Sequence, residues 1–197
     1  LMAEAMESMN PSIDSIASAI NKINARNVFV LPNNSNIILA AQQASELTEK
    51  GVVLIPTKTI PQGIAACMTY SKDATIAENE QAMKEAIAGV VSGAVTYAVR
   101  DTTFNGTKVK KGDMIGLVNN HLAVSGTSVE AATIDLVKKI IADRGDEACT
   151  VTLYFGEGQT EENAQAIADK LQEQFADAEF MVLAGGQPLY YYYIAVQ

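Results

Sequence analysis

Twice between Asn27 and Tyr70 the chain runs a short apolar stretch into a polar turn and then into helical sequence, as Asn27-VFVLPNNSNIILAAQQ and again as Gly51-VVLIPTKTIPQGIAACMTY. The runs Val28 to Leu31 and Val52 to Ile55 are too far apart for a hairpin. With a helix between them they read as parallel βαβ units. In an open parallel sheet the turns that follow the strands gather on one edge, where ligands and partners usually meet the protein. Asn33-Asn34-Ser35-Asn36 and Thr57-Lys58-Thr59 are therefore expected to share one polar rim.

With 197 residues, 48% of them hydrophobic and 19% charged, the chain can bury a proper core as one α/β domain with a smaller appended lobe. A formal charge of −9 argues against nucleic acid, because phosphate binding needs clustered Lys and Arg, and the 14 present are scattered. Their densest group, Lys108, Lys110 and Lys111, reads as a solvated hairpin face. Cys67 and Cys149 lie far apart among apolar neighbours, which suits buried free thiols in a reducing compartment and implies a cytoplasmic location. No apolar run approaches the roughly 20 residues of a membrane span. The start, LMAEAMESM, lacks an initiating Met and the basic stretch of a signal peptide, and reads like a cut or divergent beginning.

Asn10 is a suitable N-cap, with Pro11 in the first turn of a helix that carries Ile13, Ile16, Ile20 and Ile23 on one stripe and runs to about Ala25. After the two βα units, Thr75-Ile76-Ala77-Glu78 has capping-box spacing, and Met83, Ile87 and Val90 continue a helical face that Gly93 is expected to stop. Residues 1–93 thus form a first α/β lobe. Beyond it VTYAV is a strand, Asn105-Gly106 is a hairpin signal, and Met114 to Val118 is a strand ending at Asn119-Asn120. Thr127-Ser128-Val129-Glu130 is a second capping box, opening a helix along Val129, Thr133, Leu136, Val137 and Ile140 that Gly145 ends. Cys149 to Phe155, the helix through Ala164 to Phe175, and Phe180 to Ala184 form another strand-helix-strand unit. Gly185-Gly186-Gln187-Pro188 then turns the chain into a final antiparallel strand from Leu189. Residues 94–197 make a second α+β lobe with hairpins and a C-terminal βαββ unit.

Chemistry within this chain is thin. There is no P-loop and no Cys-His metal cluster, and phosphoryl transfer depends on a phosphate cradle and metal for charge stabilisation. Gly156-Glu157-Gly158 lacks the rest of a dinucleotide fingerprint and reads as a plain turn. His121, the single histidine, reads as an exposed loop residue. The binding candidates are on the rim. Asn33, Asn34 and Asn36 suit either helix capping or ligand contact. Thr57, Lys58, Thr59 and Gln62 place one cation and several donors near a helix N-terminus, able to hold an anion. Arg100 in Arg100-Asp101-Thr102-Thr103 reads as a local ion pair and turn, or a contact residue, and Gln187 in the Gly-Gly turn completes the candidates. Tyr190 to Tyr193 read as a strand with alternate rings exposed, fit for a protein interface.

The strings MNPSIDSIASAINKI, NVFVLPNNSNIILAAQQA, VVLIPTKTIPQGIAA, TYAVRDTTFNG and GGQPLYYYYIAV, in this order, resemble the C-terminal region of the fatty acid kinase A family, also called Dak-phosphatase-like or YloV. The resemblance covers Met9 to the end. Residues 1–8 do not follow it, since a Gly-Gly-Gln-Thr stretch would be expected just before Met9. The resemblance implies a DegV-like α/β fold of two lobes built on βαβ units with a hairpin-containing insertion. It also implies a parent protein whose separate N-terminal domain binds ATP through magnesium and phosphorylates a fatty acid carboxylate for phospholipid synthesis. The fatty acid is held by a DegV-like fatty-acid-binding partner, which the C-terminal region would dock. No cofactor is expected on this chain, nor catalysis by it alone; a homodimer is left open. Two alternatives stand beside that reading: a stand-alone fatty-acid or small-anion binding protein of DegV type, and a phosphatase-like enzyme.

Overall fold

Strands whose apolar residues fall on both faces need cover on both faces, and that requirement shapes the first half of the chain. The computed structural model describes residues 11–104, 106–145 and 148–197, and it divides into two units, Leu1–Gly89 and Val90–Gln197. The first unit runs α1 (Ile13–Lys22), β1 (Asn27–Val30), α2 (Ile38–Ser45), β2 (Gly51–Leu54), α3 (Ile60–Met68) and α4 (Ile76–Ala88). β1 and β2 pair in parallel, Val28 opposite Val52 and Val30 opposite Leu54. Alternation along a strand splits their side chains in two. Val28, Val30, Val52 and Leu54 pack with Ile16, Ile20, Ala41 and Ala44 of α1 and α2. Phe29, Leu31, Val53 and Ile55 pack with Ala66, Met83 and Ile87 of α3 and α4. Each fully buried aliphatic side chain contributes about 1.5–3 kcal/mol, so both helix layers are held by the same two short strands.

The helix ends follow local chemistry, with some departures from the sequence reading. Ser12 caps α1, its Oγ accepting the Ser15 N–H at 3.1 Å; Asn10 lies outside the described residues. That helix closes at Lys22 rather than near Ala25 because Ile23 turns to extended backbone. Lys50 Nζ then donates to the carbonyls of Ile20 (2.9 Å), Asn21 (3.0 Å) and Ile23, placing a cation on the negative end of α1. The Thr75–Glu78 capping box forms as expected. Gly93, however, does not stop α4, which ends at Ala88 with Gly89 as its cap.

The second unit runs β3 (Val91–Tyr97), β4 (Thr102–Phe104), β5 (Thr107–Val109), β6 (Met114–Val118), β7 (His121–Gly126), α5 (Val129–Arg144), β8 (Thr150–Phe155), α6 (Glu161–Gln172), β9 (Glu179–Ala184) and β10 (Tyr192–Val196). Six of these strands form one sheet in the order β7-β6-β3-β10-β8-β9, antiparallel throughout except for the parallel pair β8 and β9. β4 and β5 form a separate hairpin, with Lys108, Lys110 and Lys111 exposed. The core joins Leu136, Val137, Ile140 and Ile141 of α5 to Ala164, Ile167 and Leu171 of α6 and to Val95, Val151, Leu153, Tyr192 and Ile194 of the sheet.

Gly93 sits in β3, where a Cβ would come within 3.2 Å of Ile140 and Leu136. On the neighbouring strand a Cβ at Gly116 would lie 2.5 Å from Val124 and 3.1 Å from Leu136. These glycines let α5 approach the sheet, so Gly93 serves packing, not punctuation. The cap of α5 is Ser128, one residue after the expected Thr127, and its Oγ accepts from Ala131. Gly145 closes the helix at φ 72° as read. Asn119 and Asn120, both at positive φ, reverse the chain into β7, a strand the sequence reading did not include. The last strand begins at Tyr192 instead of Leu189 and enters between β3 and β8, not beside β9. Cys149 is buried, but Cys67 is exposed on α3, although partial cover still pushes its thiol pKa up.

Candidate functional site

Because β1 and β2 are parallel neighbours, the loops that leave them emerge at the same end. The expected rim forms there. The Asn33 N–H donates to Thr57 Oγ1 at 2.9 Å, joining the loop after β1 to the loop after β2. Asn33 adopts the left-handed conformation at φ 58°, which Asn tolerates better than most residues. Its side chain lies against Gly63, where a Cβ would fall 2.1 Å from Asn33 Oδ1. That Oδ1 is buried and accepts no hydrogen bond from a described residue, an arrangement that ordinarily costs about 1–3 kcal/mol.

The other rim residues divide between support and presentation. Asn34 Oδ1 accepts the Asn36 N–H at 3.0 Å in a local turn. The capping alternative for these asparagines is not what the loop does, since Ile37 occupies the N-cap of α2 without a side-chain bond. Thr57 is fully buried. Thr59 caps α3, accepting the Gln62 N–H at 3.3 Å. Gln62 Oε1 in turn accepts the Lys58 N–H at 2.8 Å, while its Nε2 donates to the Ile87 carbonyl at 3.2 Å, tying the start of α3 to the end of α4. The side chain of Lys58 is exposed. A cation thus stands on a fixed backbone beside the positive end of a helix, a setting that suits an anion or an acidic surface. Gly63 was missed by the sequence reading. A lone glycine inside a helical run was the available signal.

Arg100 and Gln187 belong to the other unit. Arg100 is exposed just after β3, and the expected ion pair with Asp101 does not form: Asp101 Oδ1 takes the Lys111 N–H at 2.8 Å. Gln187 is built into a loop, its Nε2 donating to the Tyr154 carbonyl at 2.9 Å and its own carbonyl accepting the Glu157 N–H at 2.9 Å. The loops after the parallel strands β8 and β9 are thereby closed on each other, with Gly156 N–H donating to the Tyr191 carbonyl at 2.9 Å. A Cβ at Gly156 would lie 2.1 Å from the Tyr190 carbonyl oxygen, so glycine there lets the two loops approach closely. This second strand edge is filled by its own chain.

Tyr190 stacks on Tyr193 with centroids 4.9 Å apart. Only Tyr192 of the tyrosine run is fully buried, its hydroxyl donating to Gln159 Oε1 at 3.2 Å; burial, with the charge of Glu130 second, pushes its pKa up to about 12. Burial likewise raises Tyr193, with Tyr190 adding to the effect. His121 is exposed at the start of β7. Among the described residues no three His, Cys, Asp or Glu side chains are grouped as metal ligands, and no helix is long and apolar enough to cross a membrane.

Residues 2–197 match the FakA-like C-terminal family, the C-terminal region of fatty acid kinase A-like proteins. The match therefore includes residues 2–8, which the sequence resemblance had left out. Protein YloV of Bacillus subtilis (strain 168) is 37% identical over 197 residues, covering 100% of this chain and 35% of that protein, so the chain spans about a third of this relative's length. In fold, the chain is similar to the Streptococcus pneumoniae fatty acid kinase B3 protein loaded with linoleic acid, with a TM-score of 0.66 at 11% identity over 95% of this chain and 76% of that one. It is similar also to DegV, a fatty acid binding protein from Bacillus subtilis, with a TM-score of 0.59 at 13% identity over 94% of this chain and 76% of that one.

Proposed function

The chain belongs to the FakA-like C-terminal family of fatty acid kinases, and from that premise we propose that it is a non-catalytic docking module that recruits a DegV-like fatty-acid-binding protein. On this reading, acyl phosphate is formed by a separate ATP-binding domain of the parent protein in the cytoplasm, and ATP and magnesium belong to that domain. The observation that carries the docking role is the rim joined by the Asn33–Thr57 bond. It presents Lys58 outward, whereas the corresponding edge of the second unit is occupied by the Gln187 loop. Titration calorimetry of the chain against a fatty-acid-loaded DegV-like protein tests it. Lys58→Glu should weaken binding by about 1–3 kcal/mol if the cation loses water on docking. Unaltered affinity would remove the rim from the interface, and no binding by the unaltered chain would remove the docking role.

A second reading, in which the chain itself holds a fatty acid, draws on its likeness in fold to a linoleic-acid-loaded protein. Native mass spectrometry of chain purified from cells separates the two. A co-purifying species of fatty-acid mass favours the second reading, and bare chain favours docking.

A further inference from the structure

The two edges of the six-stranded sheet are unlike. At one edge, the β6–β7 pairing shifts register between Gly116 and Leu117, the kind of irregularity by which natural sheets blunt a free edge. At the other edge β9 reads Glu-Phe-Met-Val-Leu-Ala, with no bulge in its pairing to β8, no proline and no lysine. Phe180 and Val182 pack into the core, while Met181 and Leu183 are 46% and 48% exposed. We propose that β9 is the edge along which a second copy of this chain pairs, antiparallel and centred on Val182, making one sheet continuous through both copies.

The hydrogen-bond phase confines a twofold axis to a residue position, and Val182 is the position that pairs all three outward residues of β9 with one another. The N–H groups of Glu179 and Gly185 donate to the Cys149 and Phe155 carbonyls on the β8 side. Alternation along the strand then directs Met181 and Leu183 toward β8 as well, and leaves the amides and carbonyls of Phe180, Val182 and Ala184 facing outward. A twofold axis at Val182 sets Val182 opposite its own copy and Phe180 opposite Ala184. Every outward amide then meets an outward carbonyl. The same axis places Met181 of one copy against Leu183 of the other on the exposed face, covering both. Glu179, the only charge on the strand, falls opposite Gly185 and never meets its like. Self-complementarity of this kind marks a second copy as the occupant, since an isologous interface needs each position to suit its symmetry mate. A lone strand pair buries less than the roughly 1,200–2,000 Å² of a standard interface, so association is expected at micromolar concentrations and above.

Sedimentation equilibrium across that range should show a reversible dimer. Met181→Lys with Leu183→Lys puts like charges opposite each other twice and should raise the dimer Kd by about tenfold or more. Met181→Lys with Leu183→Glu in the same chain sets opposite charges across the axis and should restore dimerisation, which pairing in a parallel register would not do. Hydrogen exchange on the unaltered chain gives an independent reading: the amides of Phe180, Val182 and Ala184 should slow as concentration rises, while those of Met181 and Leu183 stay protected throughout. A chain monomeric into the high micromolar range, a dimer indifferent to the double lysine substitution, no restoration by the lysine–glutamate pair, or concentration-independent exchange at Phe180, Val182 and Ala184 would each overturn the proposal.

Discussion

Asn33 carries three constraints at once: a left-handed backbone, an amide committed to Thr57, and a side chain pressed on Gly63 with its oxygen buried and unpaired among the described residues. Glycine reaches the same backbone without strain and has no oxygen to bury. Asn33→Gly is therefore expected to leave stability unchanged or to raise it, which would mark the asparagine as kept for the rim and not for the fold. Gly63→Ala should cost about 1–3 kcal/mol, because the new methyl must displace the Asn33 carboxamide. In the Asn33→Gly background that cost should shrink by more than about 0.5 kcal/mol, since the two residues share one space. Urea unfolding of both single variants and the double variant measures the coupling; additive costs would show that Gly63 makes room for some other group.

Among the elements, α4 has the most completely specified end. Thr75 Oγ1 accepts the Glu78 N–H, and the Glu78 carboxylate accepts the Thr75 N–H at 2.7 Å. Thr75→Ala should lower stability by about 1 kcal/mol. The Thr75 backbone N–H first, then its hydroxyl, hold the Glu78 carboxyl below its ordinary value of 4.5. A carboxyl held low in the folded state stabilises above its unfolded pKa, and that contribution is lost as pH falls through the native value. Glu78→Gln should accordingly lower the Tm slightly at neutral pH and leave it unchanged in acid, flattening the acid limb of a plot of Tm against pH. At the turn before β10, Gly186 sits at φ 64° with nothing within 4 Å of where a Cβ would be. Gly186→Val should cost about 1–2 kcal/mol of backbone strain and lower the Tm, with partner affinity in the folded fraction intact; lost binding at an unaltered Tm would instead place the turn in an interface. Elements governed by neighbours in sequence were the legible ones: β1 and β2 from their apolar runs, the Thr75 box from its spacing, and the rim from the strand ends. What escaped depended on distant partners. Gly93 resembles a helix stop until Leu136 and Ile140 pack over it, His121 to Gly126 becomes a strand only because β6 is there to pair with it, and nothing local in Asn33 announces Thr57 or Gly63.

At the scale of the whole molecule, the chain matches YloV over only 35% of that protein's length, and its sequence has no Gly-rich phosphate cradle of the P-loop kind. Supplied with ATP, magnesium and a fatty-acid-loaded carrier, it should release no more phosphate than the carrier alone; turnover above that blank would sink the docking-module reading. The position of β10 bears on how such a chain comes into being. Tyr192 pairs with Val95 on one side and Phe155 on the other, so one of the two central strands of the sheet is the last of its strands to be translated. At about 5–20 residues per second, β3 leaves the ribosome roughly 5–20 s before the strand that must lie beside it. Until it arrives, the β3-β6-β7 meander and, once β9 has been made, the β8-β9 pair are separate half-sheets, each showing an open edge to whatever chaperone or nascent neighbour is at hand. A ribosome stalled short of Tyr192 should hold a second unit that a protease cuts freely, and release of the remaining strand residues should close both wounds in one step.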